Sequence, residues 1–259
     1  MALTDNLIGH WKFDESIGLV AADSSTQGND GNLTNMDNTN HVPGYINNAL
    51  QFDGINERVL FGDILDGILA GDATLQATFS AWILPSTKNT NRVILSKWPQ
   101  GAVATRAFNM SVFSSAAGTP NQPFFSLSSD GTNATQVSTT SSVAVAMDVW
   151  SFVLAEVDLT QAGDGRIQIY VNNINTSQAL VDAGFGGSIT SAAGEISVGA
   201  LYNLGNDFLG TIDDVRIWNR LLTDAEKTSL FTLSYLQSDR NRFIRRKRFK
   251  QGFSNTGGL

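Results

Sequence analysis

Glu156 and Asp158 stand two residues apart in Ala155-Glu-Val-Asp-Leu-Thr-Gln161. On an extended strand that spacing puts both carboxylates on one face. Such a pair could cleave glycosides, one group protonating the leaving oxygen while the other attacks the sugar or activates water. No other catalytic set is legible. His10 and His41 are isolated, no serine sits in a Gly-x-Ser-x-Gly elbow, and phosphate-loop, zinc and dinucleotide fingerprints are missing. The chain has no cysteine, which excludes disulfides and thiolate metal sites.

A second kind of chemistry is recognition of hydroxyl-rich ligands, which needs aromatic faces for C–H groups and nearby amides and carboxylates for hydroxyls. Two loops mix these types. One is Lys97-Trp-Pro-Gln-Gly101, where Trp98 leaves a strand beside a turn; the other is Leu201-Tyr-Asn-Leu-Gly-Asn-Asp-Phe208. Trp98, Tyr202, Asn203, Asn206 and Asp207 are therefore the expected carbohydrate-binding residues, with a glycan or cell-surface polysaccharide as partner. Trp11, Phe79, Trp82, Trp150 and Phe152 fall in alternating strand patterns and are expected in the core. Asp23 and Asp53, each in a polar turn sequence, are expected to accept backbone N–H bonds as Asx turns.

Charge divides the chain. Residues 1–238 carry 10 Lys/Arg against 23 Asp/Glu, a net of −13, whereas residues 239–259 carry 7 against 1, a net of +6. An acidic body of this kind repels nucleic acid. The basic run holds Arg240, Arg242, Phe243, Arg245, Arg246, Lys247, Arg248, Phe249 and Lys250. It is expected to anchor the protein to an acidic or phosphate-rich partner in a larger assembly, with Phe243 and Phe249 adding apolar contacts. Met1-Ala-Leu-Thr-Asp-Asn has no basic or apolar signal character, and no apolar run reaches membrane-spanning length.

The elements that must position these groups are strands. Twenty-four glycines and five prolines suit many short strands joined by tight turns. No linker or internal repeat divides the chain, so one domain over 1–238 and a basic tail over 239–259 are expected. Helical patterning is confined to Asp63–Ala70 and Thr223–Tyr235. Thr223 and Glu226 have capping-box spacing. In Gly210-Thr-Ile-Asp-Asp-Val-Arg-Ile-Trp-Asn-Arg220, Val215 and Ile217 alternate with Asp214, Arg216 and Trp218. Phe79, Trp82, Val215 and Ile217 are expected to be buried between two sheets.

That last segment resembles the closing strand of laminin-G-like jelly rolls, of the concanavalin-A-like lectin and glucanase fold. Other fragments stand in the family's order over roughly residues 7 to 236. They include Leu7-Ile-Gly-His-Trp-Lys-Phe-Asp-Glu15, Asn48-Ala-Leu-Gln-Phe-Asp-Gly54, Thr78-Phe-Ser-Ala-Trp-Ile83, Trp150-Ser-Phe-Val153 and Ile169-Tyr-Val-Asn172. The resemblance implies an all-β, two-sheet antiparallel sandwich (jelly roll) with one short C-terminal helix and a basic tail.

It also implies a structural Ca²⁺ at Asp213, with further oxygens from near Asp14 and from Asn48, the latter through its main chain. Calcium takes several hard oxygen ligands, and strand ends offer carbonyls beside a carboxylate. The family's glucanases carry a third acid where Thr160 or Gln161 stands here, so the Glu156–Asp158 motif is incomplete and the protein is read as no enzyme. The resulting expectation is a non-catalytic recognition module, extracellular or on a virion surface. It would be displayed as a structural or attachment component and docked by its tail. The alternative is a secreted carbohydrate-binding domain or a divergent jelly-roll glycanase.

Overall fold

The computed structural model describes residues 2–232 except 88, 100–104, 115–117, 119, 191, 192 and 204. The expected tail anchor at 240–250 therefore lies outside the described residues. In chain order the strands are β1 (Leu7–Trp11), β2 (Val20–Ala21), β3 (Gly31–Thr34), β4 (His41–Pro43), β5 (Asn48–Asp53), β6 (Arg58–Leu60), β7 (Gln76–Pro85), β8 (Arg92–Lys97) and β9 (Phe108–Val112). They continue with β10 (Pro123–Ser128), β11 (Gln136–Thr140), β12 (Ser151–Asp158), β13 (Ile167–Val171), β14 (Ile174–Asn175), β15 (Val181–Asp182), β16 (Ser197–Val198) and β17 (Leu209–Trp218). One sheet runs β14-β13-β12-β7-β17-β5-β4, with β1 also on β17; the other runs β15-β11-β10-β9-β8-β16-β6-β3-β2. All pairings are antiparallel. This is the expected two-sheet sandwich.

The two-residue period of a strand decides what lies between the sheets. On β7, Ala77, Phe79, Ala81 and Ile83 enter the main core; on β12, Val153, Ala155 and Val157 do so. From the facing sheet come Phe108, Met110, Phe125 and Leu127. Phe79 packs its ring 4.9 Å from Phe108 and 5.1 Å from Phe125, in tilted geometry. Such contacts contribute beyond simple area burial.

Trp82 departs from expectation. It is three residues from Phe79 on the same strand, so the two must face opposite ways. Trp82 lies on the outer face, in a second cluster with Tyr45, Phe152, Leu154, Trp218, Leu222 and Leu230. Its ring stacks on Tyr45 at 3.6 Å and on Phe231 at 5.7 Å. That second layer exists because a helix covers the outer face.

Two helices appear near the expected places. α1 (Asp66–Leu69) is a single turn within the pattern at 63–70. α2 spans residues 224–232 of the described chain. Its start is fixed by a reciprocal capping box: Thr223 N–H donates to Glu226 Oε2 at 2.8 Å, and Glu226 N–H donates to Thr223 Oγ1 at 3.2 Å. Arg220 adds a bidentate bond to the same carboxylate, at 2.9 and 2.8 Å, and also donates to the carbonyls of Ala2 and Asp5. The end of β17, the start of α2 and the N-terminal segment are thus tied at one point.

Candidate functional site

β17 changes partner halfway. Residues Leu209 to Ile212 pair with β5, whereas Val215 to Trp218 pair with β1. The handover occurs at a register break after Asp213, where Asp214 adopts φ +52°. An extra residue of this kind kinks a strand and re-aims its side chains. The break lets Ile212 and Val215 both face inward despite their odd spacing.

Asp213 sits at this junction with no exposed surface. Its Oδ2 accepts the Ile46 N–H at 2.8 Å, while its Oδ1 is buried without a hydrogen-bond partner. Burial pushes its carboxyl well above the ordinary value, helped by the charges of Asp214 and Asp14 and opposed by the N–H groups of Ile46 and Tyr45. The structure brings Asp14 and Asn48 together beside it. Asp14 accepts from Asn47 Nδ2 at 3.1 Å and Asn48 N–H at 3.3 Å, and the Asp14 carbonyl accepts from Asn48 Nδ2 at 2.9 Å. Gly44 leaves the gap open, since a Cβ there would collide with the Asn48 carbonyl oxygen and stand 2.6 Å from Asp213 Oδ2. Among the described residues no three His, Cys, Asp or Glu side chains gather as a metal cluster. The junction instead offers carboxylate and carbonyl oxygens around a buried carboxyl oxygen without a hydrogen-bond partner, a donor set that suits a hard cation.

His10, isolated in sequence, belongs to the neighbouring cluster. Its Nε2 lies 2.8 Å from Asp214 Oδ1 and 2.9 Å from Arg216 Nε. Arg216 Nη2 reaches the same Asp214 oxygen at 3.0 Å. Burial lowers the His10 pKa first and foremost. For Asp214 burial works the other way, but Arg216 and His10 outweigh it and hold the carboxyl below its ordinary value. The outward alternation of Asp214 and Arg216 was visible in the sequence; the pairing of β1 with β17 was not.

The two expected carbohydrate loops come together, with different roles. Trp98 is 8% exposed and packs with Val93 and Leu201, with the Arg106 guanidinium 5.6 Å over its ring. It is the floor beneath the second loop and presents no open face, which corrects the expected platform. Tyr202, Asn206 and Asp207 are half-buried and Asn203 is exposed. Their turn is tethered at both ends: Leu201 N–H donates to the Gly205 carbonyl at 3.1 Å, and Val93 N–H to that of Asn206 at 2.8 Å.

Glu156 and Asp158 do share the outer face, but each is engaged. Lys227 of α2 donates to Glu156 Oε2 at 3.0 Å and to the Tyr170 hydroxyl at 3.0 Å. Burial alone would lower the Lys227 pKa, yet its bonds to Tyr170 and Glu156 raise it. Asp158 Oδ1 accepts from Thr160 N–H at 3.1 Å and from its hydroxyl at 2.5 Å. Lys227 was missed because its partners lie 57 and 71 residues away. The Asx turns expected at Asp23 and Asp53 are present, with bonds to Ser25 N–H and Ile55 N–H at 2.8 Å.

The sequence profile of Laminin_G_3, described as "Concanavalin A-like lectin/glucanases superfamily", matches residues 63–226. No curated protein sequence matches. Among solved structures, domain 4 of AbnA, a GH43 extracellular arabinanase from Geobacillus stearothermophilus in complex with arabinotriose, is similar at TM-score 0.60 and 18% identity. That match covers 87% of this chain and 98% of that one. The receptor binding domain of botulinum neurotoxin C/D mosaic serotype follows at TM-score 0.63 and 12% identity, covering 89% and 52%. The botulinum neurotoxin serotype D ligand binding domain, in complex with N-acetylneuraminic acid, gives 0.59 and 13%, covering 88% and 51%. The chain thus spans about half of each toxin domain, and at these identities the likeness is one of fold.

Proposed function

This chain belongs to the concanavalin A-like lectin/glucanases superfamily, and from that premise we propose that it is a non-catalytic glycan-recognition module. The observation that carries the reading is the tethered 201–208 turn. It gathers Tyr202, Asn206 and Asp207, half-buried, and Asn203, exposed, on one short turn whose Leu201 packs with Trp98. A preorganised turn of this composition can cover sugar C–H groups and bond hydroxyls with little ordering cost. The arabinotriose and N-acetylneuraminic acid named for two fold relatives supply the probes. Against catalysis stands the engagement of both carboxylates, Glu156 by Lys227 and Asp158 by Thr160.

The reading includes a structural Ca²⁺ held by Asp213, Asp14 and the Asn48 carbonyl. Such an ion would supply the positive charge that the buried Asp213 Oδ1 lacks. It further includes display on the surface of a particle such as a virion, docked by residues 239–259. No helix among the described residues is long and apolar enough to cross a membrane.

A glycan array with both probes tests the first part. Wild-type protein is expected to bind at least one saccharide, and Tyr202→Ala to weaken it about tenfold, the equivalent of about 1.4 kcal/mol. An array without any bound saccharide would remove the glycan reading. Chain ended after Ser238 should keep saccharide binding and lose particle attachment; unimpaired attachment would exclude the tail as anchor.

A further inference from the structure

His10 Nε2 stands within hydrogen-bond distance of two groups that ask opposite things of it. Arg216 Nε, 2.9 Å away, can only donate; Asp214 Oδ1, 2.8 Å away, can only accept when its carboxyl is ionised. One ring nitrogen cannot accept from the first and donate to the second at once. Register brings the three together: His10 of β1 is the direct partner of Arg216 on β17, and Asp214, two residues earlier, reaches the same ring. The other charged groups that face His10 are Lys12, on its own segment, and Asp23. Both Asp23 oxygens are already engaged, by the backbone N–H groups of His10, Ser25 and Asn29 and by the Ser25 hydroxyl. Asp214 is thus the acceptor left for the ring.

With His10 neutral, the geometry favours Arg216. Its guanidinium fork spans both neighbours, Nε–H to His10 Nε2 and Nη2 to Asp214 Oδ1 at 3.0 Å. The imidazole proton then sits on Nδ1. With His10 protonated, the same atoms favour Asp214. Nε2–H donates to Oδ1 along the existing 2.8 Å contact, while Arg216 Nε loses its acceptor and faces a second cation. One of the three has to move. The Asp214 side chain is 5% exposed, that of His10 11% and that of Arg216 16%. Arg216 lies nearest water and carries its charge on a long stem, so it is the group with somewhere to go.

We infer that this trio is an acid-operated release for Arg216: protonation of His10 transfers Asp214 from the guanidinium to the imidazolium and frees Arg216 on the outer face of the first sheet, with the sandwich otherwise intact. The change adds one proton from water to Nε2 and breaks no covalent bond. Its output is a guanidinium that is paired at neutral pH and free in acid, ready for a carboxylate or phosphate. Burial first, then Arg216 and Lys12, hold the imidazole below its ordinary 6.5 against the pull of Asp214. Release therefore lies on the acid side of 6.5. The stability that neutral His10 contributes is present above that value and is lost as pH falls through the lowered one.

The test is NMR of the full chain labelled with ¹⁵N, following the His10 ring nitrogens and the Arg216 Nε–H between about pH 7.5 and about pH 4.5. Arg220 is the internal reference, because its Nε–H donates to the Asp5 carbonyl at 2.9 Å and its guanidinium pairs with Glu226, a setting in which no histidine takes part. At the neutral end the proton is expected on Nδ1, with Nε2 bare. As Nε2 gains its proton, the exchange rate of the Arg216 Nε–H relative to that of Arg220 should rise about tenfold, the loss of one hydrogen bond to a charged group. His10→Gln offers an amide oxygen to Arg216 at every pH and should keep that ratio constant. A proton on Nε2 at the neutral end would overturn the inference, as would a ratio that stays flat while His10 titrates. The buried carboxyl of Asp213, raised above its ordinary value, is kept apart by the same variant. An acid loss of Arg216 protection that persists in His10→Gln would place the trigger elsewhere and overturn the role of His10. Should the variant fail to fold, the wild-type measurement decides alone.

Discussion

Replacing Asp213 by Asn separates a metal ligand from a structural hydrogen bond. The amide oxygen can still accept the Ile46 N–H now bonded at 2.8 Å, so the backbone donor is not orphaned. Alanine would leave that donor unpaired, at about 1–3 kcal/mol, and confuse the result. What Asn removes is the ionisable group a cation would pair with: the buried carboxyl beside Asp214 and Asp14 whose Oδ1 has no hydrogen-bond partner. In chelator the variant should therefore be no less stable than wild type at neutral pH. Calcium at about 100 times its dissociation constant should stabilise wild type by about 2.7 kcal/mol through mass action. At about 2–4 °C per kcal/mol for a chain of this size, the melting temperature should rise by about 5–11 °C. Differential scanning fluorimetry of both proteins, with calcium and with EDTA, gives four melting temperatures. The expectation is one large calcium shift, in wild type, and none in the variant. A wild-type curve that ignores both calcium and EDTA would refute the reasoning, as would an Asn variant that responds as wild type does.

Trp82→Ala should cost about 3–5 kcal/mol in denaturant titration and should also release α2, read as lost hydrogen-exchange protection over 224–232; Phe79→Ala should cost a similar amount while α2 stays protected until global unfolding. Glu226 is held at a pKa of about 2, first by Arg220, against an ordinary 4.5. A depressed folded-state pKa means that its contribution is present above the ordinary value and is lost as pH falls toward 2. Thermal melts between pH 6 and pH 3 should accordingly show a smaller acid loss in Glu226→Gln than in wild type.

The sandwich was legible because its signal is local. Alternation in β7, β12 and β17, with polar turns between them, is written within ten residues at a time. The capping box of α2 was legible for the same reason. The inward placement of Trp82 failed on arithmetic that the strand itself contains: an odd spacing from Phe79 puts the two on opposite faces. Nothing local, however, says that a helix will cover that opposite face and make it a second core. Trp98 failed differently, since a tryptophan at the end of a strand looks the same whether its ring is open or covered by Leu201, a hundred residues away, and by Arg106, eight residues on. The proximity of Asp213, Asp14 and Asn48 followed from family resemblance. Its physical cause is the handover of β17 between β5 and β1, and this depends on pairings across about 200 residues.

The two faces of interest are joined through one strand. β17 carries Asp213 at its break and ends four residues before Leu222, after which Thr223 opens α2. Arg220 and Glu226 clamp that passage, and the next residue, Lys227, reaches Glu156. Leu221, which with Glu156, Gln161 and Gln168 lines a cavity on the outer face of the first sheet, lies between the clamp residues. Loss of the clamp should thus loosen Leu221 and Lys227 together, removing a wall of the cavity and the ion-pair partner of Glu156. Loss of an ion at Asp213 acts upstream of the clamp, on the attachment of Asp14 and the 44–48 segment. With β17 held independently by β7 along both halves, that change should lower stability without altering the cavity. The expected signature is that Asp213→Asn leaves the side-chain amide NMR signals of Gln161 and Gln168 in place, whereas Glu226→Gln shifts them. Equal shifts in both variants would mean that the break and the clamp move as one unit, and that β7 does not isolate them.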